Sequence, residues 1–93
     1  MTNINKIVSG YNMHSHKATK CMELLNNHLP HGYSKKVKAI ADARNIKTSP
    51  QIIRNVKSLV SFDLQIFTIL IEFAALNEEN KKKSQSKLDE ILN

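Results

Sequence analysis

Ninety-three residues are enough for one compact domain and too few for two, and a hydrophobic fraction of 41% with a charged fraction of 24% excludes wholesale disorder. Only two glycines, two prolines and no tryptophan favour helices over a turn-rich β fold, and a net charge of +6 points to an acidic partner such as nucleic acid. The single cysteine, Cys21, excludes an internal disulfide and a cysteine-based zinc site and fits a reducing compartment.

Residues 1–15 lack sustained periodicity and are expected to form a loosely attached arm, although Ile4, Ile7, Val8 and Tyr11 can share one stripe on a short turn of helix. From His16 the apolar positions Ala18, Cys21, Met22, Leu25 and Leu29 follow helical spacing, and Leu29-Pro30-His31-Gly32 supplies a stop. Ser34 is the expected N-cap of a second helix, with Val37, Ile40, Ala41 and the stem of Arg44 inward and Lys35, Lys36 and Lys38 outward. Asn45 suits a left-handed C-cap. Ser49-Pro50 then predicts a third helix over about 49–59, packed through Ile53, Val56 and one of Leu59 or Val60, with Gln51, Arg54, Asn55 and Ser58 on outward or flanking positions.

Ser61 and Asp63 open a fourth helix whose stretch 62–76 is too apolar for one domain face to use, so a partner copy is expected to take what remains, with Ile66, Phe73 and Leu76 as dimerisation candidates. The polar interruptions at Asp63, Gln65, Thr68 and Glu72, and its shortness, argue against a membrane span. No signal-like segment follows Met1, so the expected location is the cytoplasm. Residues 77–93 read as a helical tail with Glu78/Lys82 and Glu79/Lys83 pairs and a weak stripe of Leu88, Ile91 and Leu92. The expected fold is therefore all-α: a four- to five-helix compact domain, with an arm (1–15), a helix-turn-helix body (16–76) and a tail (77–93).

Charge is concentrated in that body. Lys35, Lys36, Lys38, Arg44, Lys47, Arg54 and Lys57 fall between residues 33 and 58 with Asp42 as the only acid, so this window alone carries the net charge of the whole chain. The histidine spacings His14-x-His16 and His28-x-x-His31 belong to no metal framework, Cys21 lies on an apolar face, and Gly10 and Gly32 cannot build a phosphate loop. No enzymatic activity, metal or cofactor is expected.

The run IADARNIKTSPQIIRNVKS, residues 40–58, resembles the helix-turn-helix of lambda-repressor-like regulators, and with the apolar helix that follows it looks like small phage, prophage or plasmid regulators. The likeness covers about residues 33–75. Ala41 fills the place of the small packing residue, Asn45 with Ile46 the turn, and Ile53 the apolar anchor of the recognition helix. Two departures stand out: the spacing from Asn45 to Ile53 is one residue longer than usual unless Ala43 and Ile46 take the earlier positions, and Asn stands for the customary glycine. The resemblance implies base contacts from Gln51, Arg54 and Asn55 and phosphate contacts from Lys35, Lys36, Lys47, Thr48, Ser49 and Lys57. It implies a sequence-specific DNA-binding repressor acting as a homodimer. The runner-up is a mobile-element inhibitor that uses the same basic surface on a host nucleoprotein or nuclease complex or its RNA. Because only Tyr11 and Tyr33 are expected to be accessible for stacking, duplex DNA is favoured over RNA.

Overall fold

The computed structural model describes residues 3–93 and, among them, contains five helices and no strand: α1 (Asn3–Tyr11), α2 (Ser15–Asn27), α3 (Tyr33–Ala43), α4 (Pro50–Lys57) and α5 (Leu64–Leu92). α1 packs on α2 and α3 on α4, while α2, α3 and α4 each lie against α5. The long helix is the spine of the molecule. At 29 residues it runs for roughly 44 Å at 1.5 Å per residue, and the molecule's longest dimension is 46 Å.

The core is built from the spacings read in the sequence. Ala18 and Leu25 of α2, Val37 and Ala41 of α3, Ile53 and Val56 of α4, and Ile66, Phe67, Ile69 and Leu70 of α5 are buried in one cluster. Ile7 of α1 belongs to it and is fully buried. α1 is therefore docked, contrary to the expectation of a loose arm. The same stripe explains why: Tyr11 stacks on Phe67 with ring centroids 4.1 Å apart, meets Phe62 edge-on at 5.4 Å, and its Oη accepts the Asp63 N–H at 3.2 Å. Gly10 leaves room for the Phe62 ring, which a Cβ at that position would overlap. α1 thus secures the junction between α4 and α5.

Helix ends show how the chain turns. α3 and α4 both finish in a residue of left-handed conformation, Asn45 (φ 59°) and Leu59 (φ 61°). At each, the next amide reaches five residues back, Ile46 N–H to the Ala41 carbonyl at 2.8 Å and Val60 N–H to the Asn55 carbonyl at 2.9 Å. These are Schellman-type caps that satisfy orphan carbonyls without glycine. Leucine resists this conformation by roughly 1 kcal/mol, and burial of Leu59 at 5% exposure offsets it, leaving Val60 outside at 73%. Ser49 caps α4 as expected, its Oγ accepting the Ile52 N–H at 3.2 Å, and Asp63 caps α5 by accepting the Ile66 N–H at 3.1 Å.

Two further expectations are corrected. Ser34 does not cap α3; the N-cap is Gly32 with φ 81°, and Ser34 sits inside the first turn, 8% exposed. Ile66 is 1% exposed and fills the core, so it is unavailable to a pairing surface. Helical geometry decides this, since Ile66 lies one turn from Leu70 and Ile69 on the face that α5 turns inward. Phe73 is half-buried against the core and Leu76 is 53% exposed.

Candidate nucleic-acid interface

α3, the turn of residues 44–49 and α4 form the bihelical unit that the sequence placed there. Burial of Ile53 and Val56 turns one edge of α4 inward. Positions 51, 54 and 55 share the opposite edge, because residues three and four apart lie on one side of a helix. Gln51 and Arg54 are exposed and Asn55 is half-buried. The three side chains are joined: Arg54 Nη2 donates to Gln51 Oε1 at 3.1 Å, and Gln51 Nε2 donates to Asn55 Oδ1 at 3.1 Å. A further bond from Arg54 Nη1 to Ser34 Oγ at 3.4 Å ties the strip to the first turn of α3. Ser34 is thus a positioning partner for Arg54. Its sequence context suggested capping because a serine just ahead of a helical pattern is the usual cap signal, and nothing local reveals a contact twenty residues away.

The seven cations of this window divide into two groups. Lys38 pairs with Asp42 one turn on, and Arg44 reaches across to Glu72 of α5 at 2.7 Å. Hydrogen bonding to Arg44 holds the Glu72 carboxyl below its ordinary pKa and raises that of Arg44 in return. These two charges are neutralised at home. Lys35, Lys36, Lys47, Arg54 and Lys57 form no ion pair among the described residues. Lys35, Lys36 and Lys47 are exposed, and Lys57 is half-buried.

Thr48 and Ser49 fare differently from one another. The Thr48 hydroxyl is buried without a hydrogen-bond partner, so it does not present itself to a phosphate. Ser49 Oγ is committed as an acceptor to Ile52, which leaves only its own proton to donate. Ile52, 44% exposed beside Gln51, was not singled out from the sequence, since a short helix that buries only two apolar residues leaves its third unassigned.

The set of accessible aromatics also changes. Tyr11 is engaged with Phe67 and Phe62, and the exposed aromatic is Phe62, at 48%. Burial raises the pKa of Tyr33 although nearby Arg54 pulls the other way. Cys21 is half-buried, its thiol pushed up by burial, with Sγ 4.0 Å from the Met13 sulfur. Among the described residues no group of three His, Cys, Asp or Glu side chains gathers, and no helix is long and apolar enough to cross a membrane.

Comparison with protein-family models, curated proteins and solved structures returns no match for this chain. The assignment of a role therefore rests on the chemistry of the face itself.

Proposed function

We propose that this protein is a sequence-specific, duplex-DNA-binding regulator of the lambda-repressor-like helix-turn-helix type, acting as a homodimer to occlude an operator. The observation that carries the reading is the joined strip Gln51–Arg54–Asn55 on the outward edge of α4, in a stretch of chain whose remaining lysines, Lys38 apart, form no ion pair among the described residues. Eight residues make α4 about 12 Å long, comparable with the width of the major groove. Arg54 supplies paired donors for guanine N7 and O6, and the amides supply donor and acceptor for adenine. Lys35, Lys36, Lys47 and Lys57 contact phosphates, which gives affinity and salt sensitivity without sequence information.

Selection from random duplex DNA, in parallel with random RNA and with heparin as competitor, tests the proposal. Enrichment of a short duplex motif is the expected result. Equal retention by RNA and heparin, or retention by a host protein complex with no nucleic acid bound, would transfer the basic face to the inhibitor reading.

A further inference from the structure

Among the described residues, Ser34 is the polar side chain that the fold buries, at 8% exposure in the first turn of α3. A buried hydroxyl is costly unless a hydrogen bond satisfies it. Its partner lies on another helix, where Arg54 Nη1 donates to Ser34 Oγ at 3.4 Å. The bond is long, and its importance lies in where it holds the guanidinium rather than in its strength. The other terminal nitrogen, Nη2, is held from within α4 by Gln51 Oε1 at 3.1 Å. Contacts from two different helices thus fix both the place and the direction of the guanidinium. They use one N–H of each terminal nitrogen and leave the rest of the planar fork open. No carboxylate pairs with Arg54 among the described residues.

Gln51 and Asn55 are tied differently, since their bonds run only along α4, to Arg54 and to each other. Orientation is what separates base reading from charge attraction. An unheld arginine has many rotamers and meets phosphate and base alike, whereas one already held in a single direction loses less freedom on binding. Arg54 is held on the edge of α4 opposite Ile53 and Val56, the edge that a helix lying in the major groove turns toward the bases.

On the DNA reading above, we propose that Ser34 sets the base preference of this face by holding Arg54 toward one guanine, so that the selected motif carries a guanine at a fixed position, read at N7 and O6. Ser34 does not touch the duplex. It is a positioning residue behind the strip. That guanine is the base whose loss is tolerated least, because Gln51 and Asn55 can turn to other base edges while Arg54 is tied from α3.

Selected duplexes are re-synthesised with the fixed guanine replaced by 7-deazaguanine, which lacks N7, or by hypoxanthine, which keeps both N7 and O6. The parent chain is expected to lose at least about tenfold in affinity for the first and little for the second. In Ser34→Ala the 7-deazaguanine penalty should shrink to about threefold or less, with the salt slope kept because no phosphate contact is lost. Ser34→Cys, similar in size with a weak acceptor, repeats the measurement where circular dichroism shows the alanine variant poorly folded. A purely structural serine would lower affinity for selected and random duplexes together and leave the penalty intact, which would overturn the proposal. So would a selected motif without a fixed guanine, or a 7-deazaguanine duplex bound as tightly as its guanine parent. Failure to select any duplex would remove the DNA reading itself, and the proposal with it.

Discussion

At the scale of single residues, the α4 strip and the Thr48 hydroxyl make opposite predictions. Gln51→Ala or Asn55→Ala should cost roughly 1 to 3 kcal/mol on a selected duplex and spare nonspecific binding. Lys35→Ala and Lys57→Ala should instead weaken all sequences alike and lower the salt slope by about one for each phosphate left without its lysine. Filter or anisotropy titrations over a range of salt separate the two classes. Thr48→Val keeps the shape and removes a buried hydroxyl that has no partner. It should leave DNA affinity unchanged and raise stability by up to about 1 kcal/mol, measurable by urea unfolding. A loss of affinity in that variant would return Thr48 to the phosphate-binding set. The chemistry of these side chains could be read from the sequence, but their availability could not. Whether a hydroxyl faces water or protein depends on the path of a turn, which the residues of the turn do not announce.

At the scale of elements, the clearest test concerns α1. Ile7 is fully buried and Tyr11 is stacked on Phe67, so Ile7→Ala should destabilise the fold by roughly 2 to 5 kcal/mol, as large-to-small core changes do. A detached arm would show almost none of that loss in thermal or denaturant unfolding. The Arg44–Glu72 bridge between α3 and α5 carries a second, smaller prediction. The Glu72 pKa is depressed from 4.5 in the folded state. Its stabilising contribution is therefore complete above the unfolded value and is lost as pH falls through the folded one. Both partners are about half exposed, so solvent screening keeps the effect small. Melting temperatures followed from pH 6 down to about 3 should fall less steeply for Glu72→Gln than for the parent. Existence of α2, α3, α4 and α5 was legible, because apolar spacing and the Ser49-Pro50 and Asp63 signals are local, whereas α1 lies in a segment read as a loose arm. The caps were less so: Gly32 replaced Ser34, and Leu59 took a left-handed conformation that only its burial makes tolerable.

For the whole molecule, a homodimer of the proposed kind must present two α4 helices to one duplex, and the distance between them fixes the spacing of the half-sites. Duplexes carrying two copies of a selected half-site should bind best when the centres lie one helical turn or a multiple of it apart, and a spacer series in a gel-shift assay will locate the optimum. Binding that is indifferent to spacing would count against the homodimer.

By itself the sequence determined the helical class, the position of the basic bihelical unit and the outward edge of α4, since each follows from periodicity, capping residues and charge within a short window. Tertiary structure alone decided which cations remain free, because Glu72 neutralises Arg44 from 28 residues away. It alone decided that α1 joins the core and that Ile66 belongs to the interior rather than to a pairing surface, because a surplus of apolar residues on one helix does not say which neighbours will cover them. That choice is made by the other four helices, whose packing depends on turns such as the one at Leu59, a left-handed residue that no local pattern announces.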